Sequence, residues 1–208
     1  MPDATPHLCT LQGERVVLRP LAPEDAGALA EILADEAVAR FVPQPPSSAT
    51  AWLRFITWSQ QQQHSGVMRC WGIVADGRVS PVGVVQLRRL DPEWHAAEWG
   101  ILLGAAYWGT GICVGAARCV LDFAFTSLHV HRMEARAVRA NVRAQRMLEK
   151  LGAVPEAILR ESFHRSGRSH DQVLWSILAA EWRPHERQDA ASPDRWDDGP
   201  GEDTSLAR

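Results

Sequence analysis

The sequence has few cysteines, no long apolar run and no marked excess of charge of either sign. Four of its 208 residues are cysteine, and the formal net charge is −3. No apolar segment approaches the roughly 18 residues that a membrane-spanning helix needs, so we expect no membrane partner. Residues 1–14 lack a basic stretch followed by an apolar one, so we expect no secretory signal and a cytoplasmic location.

The cysteines and histidines do not form a metal-binding pattern. No two cysteines form a CxxC pair, and no cysteine cluster has the spacing of a zinc site. His129 and His131 flank a single residue, but no third ligand lies near them in the sequence. We therefore predict no metal site. We interpret the four thiols as small buried hydrophobic groups: Cys9, Cys70, Cys113 and Cys119.

Charge divides the chain into two unequal parts. Residues 184–208 hold seven acidic and three basic residues and almost no large apolar groups. Such a segment buries too little apolar surface to offset its ordering entropy, so we predict a disordered acidic tail after one domain at 1–183. The nearly neutral domain lacks the broad basic surface that nucleic acid would select, so we expect no nucleic-acid partner.

The hydrophobic pattern predicts a single α+β domain. Helical and strand-like segments alternate too irregularly for a doubly wound parallel sheet, so a mixed, mostly antiparallel sheet fits better. An Asp76-Gly77 turn predicts a hairpin, and the strands between 68 and 103 read as an antiparallel meander. The predicted strands are 15–21, 68–75, 79–90, 96–103, 132–139, 153–163 and 169–182, and the predicted helices are 23–35, 47–66, 111–128 and 141–152.

A glycine cluster separates the strand at 96–103 from the helix that follows it. The first N–H groups of a helix have no internal partners, and the helix dipole places partial positive charge there. Gly109 and Gly111 lack side chains, which would let a pyrophosphate approach the backbone. Neither the Walker pattern nor the dinucleotide-binding GxGxxG pattern is met. The residues alone therefore leave phosphate binding and a purely structural turn both open.

Four segments, in order, resemble the GNAT superfamily of N-acetyltransferases, in particular the ribosomal-protein N-terminal acetyltransferase branch. They are LQGERVVLRPLAPEDAGAL, AEWGILLGAAYWGTGICVGA, HRMEARAVRANVRAQRMLEKLGA and LRESFHRSGRSHDQVLWSIL, and the resemblance covers roughly residues 11–180. It implies a single GNAT-like domain with about seven strands and about four helices. It also implies acetyl-CoA as co-substrate and an amine as acceptor.

The resemblance also implies roles for individual residues. Glu98, on the strand before the glycine cluster, is the candidate general base, and a solvent-facing strand glutamate is the alternative. Asn141, at the start of a helix, would lie beside the cofactor arm. The backbone of the strand would pair with the pantetheine arm through Ile101, Leu102 and Leu103. The pyrophosphate would bind the loop formed by Trp108, Gly109, Thr110, Gly111, Ile112 and Cys113.

Some positions depart from the family pattern. Trp108 stands where the family often has Gln or Arg, and Gly115 replaces a residue that is often acidic. Ala144 and Leu148 stand where related enzymes carry the hydroxyl groups of Ser and Tyr, so the resemblance implies no general acid at these positions. Cys113 lies at a helix N-terminus, which can activate a thiol, but its place in the loop favours packing.

The predicted function is acetyl transfer to a primary amine, and the preferred acceptor is a protein N-terminal α-amino group. Two alternatives stay open: a small-molecule amine such as a drug or polyamine, and a non-catalytic acyl-CoA-binding module. We expect acceptor specificity to reside in residues 23–64 and in the turn at 164–168. Both a monomer and a homodimer are compatible with the sequence.

Overall fold

The computed structural model describes residues 8–42 and 46–184. The predicted acidic tail lies outside these ranges, except for its first residue. Within the described ranges, no helix is long and apolar enough to cross a membrane.

One mixed sheet of eight strands organises the domain, in the order β1-β2-β3-β4-β5-β6-β8-β7. All neighbouring strands are antiparallel except β5 and β6. The strands are β1 (Leu11–Gly13), β2 (Val16–Pro20), β3 (Met68–Ala75), β4 (Gly83–Arg89), β5 (Ala96–Leu103), β6 (Arg132–Val138), β7 (Val154–Arg165) and β8 (Arg168–Leu178). The predicted fold class and the mostly antiparallel sheet are confirmed.

Five α-helices flank the sheet: α1 (Asp25–Ile32), α2 (Glu36–Ala39), α3 (Ala49–His64), α4 (Ile112–Thr126) and α5 (Val142–Lys150). The predicted counts of about seven strands and about four helices are close to these numbers. The additions are β1 and α2, of three and four residues. Neither is long enough to show a strand or helix period, so the sequence pattern could not reveal them.

The helices form two apolar layers, one on each face of the sheet. Cys70 and Val84 belong to the layer that α1 and α3 cover, whereas Ile73 and Val85 belong to the layer of α4 and α5. Because successive strand residues face opposite sides, this alternation also determines the faces of β5. Leu102 packs with α3, so Glu98, four residues earlier, projects from the same face.

Close packing between α4 and the β1–β2 turn accounts for one departure from the family pattern. A Cβ atom on Gly115 would lie 3.1 Å from the Glu14 carbonyl oxygen and 3.2 Å from the Val16 side chain. A Cβ on Gly13 would lie 2.4 Å from Cys119 Sγ. The two glycines therefore allow the helix to approach the strands closely, and a side chain at 115 would require the Glu14 carbonyl or the Val16 side chain to shift by a few tenths of an ångström.

The predicted meander is confirmed, but the connection between β3 and β4 is longer than a two-residue hairpin. The Arg78 N–H donates to the Ala75 carbonyl at 3.0 Å, so a turn forms at Asp76-Gly77. Pairing with β4 begins only at Ile73 and Gly83. The end of β3 instead pairs with β2, and residues 76–82 form the connection.

Candidate active site

Among the described strands, β5 and β6 form the one parallel pair, and we call the space between them beyond their last paired residues the cleft. β5 and β6 pair at three positions, the last joining Glu98 to Glu134. By contrast, β5 pairs with β4 along seven residues, and β6 pairs with β8 along seven. Beyond Glu98, the edge of β5 that faces β6 therefore has no strand partner in the part of the chain that the structure describes. An extended ligand can add to this edge through backbone hydrogen bonds, and the predicted arm-binding residues Ile101, Leu102 and Leu103 lie on it.

The glycine loop lies at the end of this edge. A 3-10 turn, Ala105–Tyr107, leads into it, and Gly111 is the N-cap of α4 with a left-handed backbone at φ 91°. No side chain caps the helix, and its first internal hydrogen bond runs from the Gly115 N–H to the Gly111 carbonyl. The earlier N–H groups of α4 are therefore left without helical partners.

The space in front of the loop is open. A Cβ atom built on Gly109 or Gly111 would meet no other atom within 4 Å. Both glycines have positive φ, which residues with side chains adopt only at a cost. A phosphate group can therefore reach the backbone here. The structure brings the predicted loop residues together around this space, from Trp108 through Gly109, Thr110, Gly111 and Ile112 to Cys113.

Two arginines from distant parts of the chain contact the loop, which has no cationic side chain of its own between 107 and 113. Arg15 Nη1 donates to the Thr110 carbonyl at 3.3 Å. The Arg143 guanidinium carbon lies 3.6 Å from the centroid of the Trp108 ring, and Trp108 Nε1 donates to the Leu103 carbonyl at 3.0 Å. Sequence reasoning missed both arginines because no local pattern links them to the loop.

The N-terminus of α5 borders the cleft from the side of β6. Asn141 is its N-cap, as predicted, and Asn141 Oδ1 accepts a hydrogen bond from the Ala144 N–H at 3.2 Å. Ala144 is half-buried and Leu148 is buried in the core. These two positions therefore supply packing and no hydroxyl group. The cofactor contact of Asn141 stays a prediction.

Glu98 lies at the closed end of the cleft, between two guanidinium groups. Its side chain is 20% exposed, and Oε2 accepts a hydrogen bond from Arg88. Its other oxygen, Oε1, lies 3.6 Å from Arg136 Nε, which is too long for a hydrogen bond. Oε1 is therefore the oxygen that remains available to accept a proton from a ligand.

Cys113 is unsuited to act as a nucleophile. Burial raises the pKa of its thiol to about 11, so the thiol stays protonated at neutral pH. It packs against the core at the start of α4, in agreement with the packing interpretation. Cys70 and Cys119 are buried as expected, but Cys9 is exposed, so the interpretation of all four thiols as buried groups is wrong for Cys9. Among the described residues, no group of three or more histidine, cysteine or acidic side chains is placed to hold a metal ion.

The face that carries Glu98 is bounded by two segments that are distant in sequence. Arg165, near the tip of the β7–β8 hairpin, donates from Nη1 to the Val42 carbonyl at 2.7 Å. Val42 lies between α2 and α3. The hairpin and the α2–α3 segment, in which acceptor specificity is expected, therefore meet at the border of this face.

Known proteins are similar to this chain over most of its length. The model of the acetyltransferase (GNAT) domain matches residues 15–154. A putative ribosomal N-acetyltransferase of Bacillus subtilis, YdaF, is 29% identical over 175 residues, which cover 81% of this chain and 94% of that protein. The spermidine N(1)-acetyltransferase of Escherichia coli K12 is 25% identical, and the match covers 78% of this chain and 86% of that protein.

A solved structure shows the same fold. Mycobacterium smegmatis RimJ in complex with CoA-disulfide matches with a TM-score of 0.73 at 24% identity, over 83% of this chain and 87% of that one. The domain match spans more than half of the sequence and includes the cleft and the glycine loop. The chain therefore belongs to the GNAT family and is an N-acetyltransferase.

Proposed function

We propose that the protein transfers the acetyl group of acetyl-CoA to a primary amine, most specifically to a protein N-terminal α-amino group. The observation that carries this proposal is the separation of β5 from β6 beside the uncapped N-terminus of α4. Together they offer one continuous site for a phosphate group and an extended arm.

The residues around the cleft fit acetyl-CoA, which supplies the reaction with an acetyl thioester. The open space at Gly109 and Gly111 admits the pyrophosphate to the backbone N–H groups. Arg143 adds positive charge at the same place, and the Trp108 ring holds its guanidinium. The free edge of β5 aligns the arm so that its reactive end lies near Glu98. Much of the rate acceleration then comes from this alignment of the two reactants.

Glu98 Oε1 is the proposed proton acceptor for the attacking amine, directly or through a water molecule. An α-amino group has a pKa of about 7.7–8.0, whereas that of lysine is about 10.4. Deprotonation at pH 7 therefore costs about 1 kcal/mol for an N-terminus and about 5 kcal/mol for lysine. A carboxylate that already accepts a hydrogen bond from Arg88 is better suited to deprotonate an N-terminal amine than a lysine.

The absence of hydroxyl groups at 144 and 148 is compatible with this reaction. The leaving group is an alkyl thiolate, for which the cysteine pKa of about 8.5 is a guide. Such a group leaves without a dedicated acid and can take its proton from water. Ala144 and Leu148 therefore do not argue against catalysis.

The charges around Glu98 favour an N-terminal amine over a polyamine. The relatives differ in the acceptors that their names give, since YdaF is named a putative ribosomal N-acetyltransferase and the Escherichia coli relative a spermidine N(1)-acetyltransferase. Arg88 and Arg136 both lie beside the proposed base. A polyamine would bring further positive charges next to these guanidinium groups, at a Coulombic cost.

Thiol release from acetyl-CoA, measured with a panel of acceptors, tests the proposal. The panel contains peptides with free N-termini, including ribosomal-protein N-termini, the same peptides with blocked N-termini, polyamines and aminoglycosides. We expect turnover with the free N-termini only. Turnover with polyamines alone would overturn the acceptor assignment and favour the small-amine alternative.

Substitution of the proposed base is the second test. Glu98→Gln should lower kcat about 10- to 100-fold at pH 7, with partial recovery at higher pH as the amine loses its proton unaided. Binding of acetyl-CoA, followed by calorimetry, should be unchanged. An unchanged kcat would contradict the role of Glu98 as base and leave the family assignment intact.

A further inference from the structure

Arg136 and Arg132 lie on the same strand and face, but their guanidinium groups are used differently. Arg132 Nε donates to Glu134 at 2.8 Å, and its two Nη atoms donate to the two oxygens of Glu156. Over the described ranges, the only carboxylate near Arg136 is Glu98, whose Oε1 lies 3.6 Å from Arg136 Nε. The Arg132 donors are thus satisfied by protein, whereas the Nη fork of Arg136 is open to a ligand.

The position of Arg136 in the cleft indicates what its open Nη atoms can bind. It lies two residues beyond Glu134, where the pairing of β5 with β6 ends, and its side chain reaches back toward Glu98. The side chain is 43% exposed, so a ligand can contact it. Arg136 therefore borders the point at which the acceptor amine and the acetyl group have to meet.

An anionic oxygen and an open guanidinium group 3.6 Å apart are complementary to a molecule that carries both charges. We propose that the acceptor has a carboxylate within a few bonds of its reactive amine. The amine faces Glu98 Oε1, and the carboxylate binds the Nη fork of Arg136 through two parallel hydrogen bonds. This inference rests on the proposed acetyl transfer and defines its substrate class.

Two sources supply this chemistry. One is a peptide whose first or second residue is aspartate or glutamate, and the other is a free α-amino acid. Polyamines lack the carboxylate and would place positive charge beside Arg136. Arg136 is thus a substrate-binding residue that selects zwitterionic acceptors.

Matched pairs of acceptors test the inference. The peptides are Ser-Asp-Ala-Ala and Ser-Asn-Ala-Ala, and the small acceptors are free amino acids and their amides. Wild-type protein should show a kcat/KM about tenfold higher for the acid than for the amide in at least one pair, because hydrogen bonds to charged groups are strong. Whichever pair shows the preference identifies the source. Arg136→Ala should reduce the ratio to about 1, and Arg136→Glu should reverse it.

Arg78→Ala is the control, because Arg78 is an exposed arginine in the β3–β4 connection and its loss removes the same charge outside the cleft. It should leave the acid-to-amide ratio unchanged. Circular dichroism and calorimetric binding of CoA verify that the Arg136 variants are folded. Binding of each acceptor to the CoA complex is measured in parallel.

The two proposals fail in different ways. Equal kcat/KM for acids and amides, or a preference that survives in Arg136→Ala, overturns the zwitterion inference while acetyl transfer stands. Arg136-dependent binding of the acids without any acetylation supports the inference and overturns the proposed function. Neither binding nor transfer with any member of the panel overturns both.

Discussion

Strands β3 and β7 belong to one sheet, but they lie in very different surroundings. All eight residues of β3 are buried, whereas among the twelve residues of β7 only Phe163 is buried. β3 lies between β2 and β4 and is covered by helices on both faces, while β7 is the edge of the sheet. The same secondary structure is thus fully desolvated at one end and largely solvated at the other.

One half of the sheet stabilises the fold, and the other half carries the charged side chains of the proposed site. The half of the sheet around β3 contains two apolar layers and holds the strands in place. In the half from β5 to β7, Leu102 still packs with the layer of α1 and α3, but the same face also carries the charged side chains of Glu98, Glu134 and Arg136. The charged groups of the site can act only where ligands and water reach them. The cleft meets this condition because it lies at the boundary between the two halves.

The largest loss of stability should come from a substitution in the half of the sheet around β3. Trp71 on β3 is fully buried, its ring lies 5.6 Å from that of Phe123, and its Nε1 donates to the Cys9 carbonyl. Trp71→Ala should lower the free energy of unfolding by about 3–5 kcal/mol, measured with urea. Ile158→Ala on β7, where the side chain is 53% exposed, should cost about 0.5 kcal/mol or less. Similar losses would contradict the comparison.

A substitution in the glycine loop, which lies at the boundary between the two halves, should mainly reduce the affinity for CoA. Gly111→Ala places a methyl group in the open space of the loop and forces alanine into φ 91°, at about 1–2 kcal/mol. CoA affinity, measured by calorimetry, should fall at least about tenfold. Gly152→Ala at the end of α5 is the matched control, because its φ is 81° and its space is also open. It should lose similar stability and keep its CoA affinity. Equal affinity losses would exclude the loop as the phosphate site.

Arg143, which lies over the Trp108 ring, should contribute less to CoA affinity than the backbone of the glycine loop does. Arg143→Ala should weaken CoA binding about 3- to 10-fold, because one exposed cation near the proposed phosphate site is removed. Arg146→Ala, on the next turn of α5 and exposed, should leave the affinity within about twofold. A higher salt concentration should reduce the difference between the two variants. If both variants bind CoA equally well, Arg143 takes no part in the site.

The smallest expected change in stability concerns the half of the sheet from β5 to β7, and it depends on pH. The hydrogen bond from Arg132 and then that from Ser176 lower the pKa of Glu156 to about 2. Because the folded-state pKa is the lower one, the stabilisation is present above the unfolded pKa of about 4.3 and is lost as the pH falls toward 2. The pair is partly exposed, so Glu156→Gln should cost only about 0.2–1 kcal/mol at pH 7. Urea unfolding at pH 7 and pH 3 should show this difference shrinking, and a constant difference would contradict the linkage.

Most of the fold could be predicted because its elements depend on local patterns. The strand predicted at 132–139 and the helix predicted to start at Asn141 depend on short-range signals, and the structure confirms both as β6 and α5. The β3–β4 connection was predicted too short because the end of β3 pairs with β2. A two-residue turn signal contains no information about a competing third strand.

The sequence by itself determined the α+β class, the order of the main strands and helices, and the glycine loop before α4. These features follow from residue types within a few positions of each other, and the resemblance in four segments adds the family. Only the tertiary structure decided which charges surround the cleft. Arg15 lies in the β1–β2 turn, and the other three arginines, Arg88, Arg136 and Arg143, lie on β4, β6 and α5. The folding of the chain brings the four to one loop and one carboxylate. The physical reason is that contacts between distant residues depend on strand register and helix placement, which no single segment encodes.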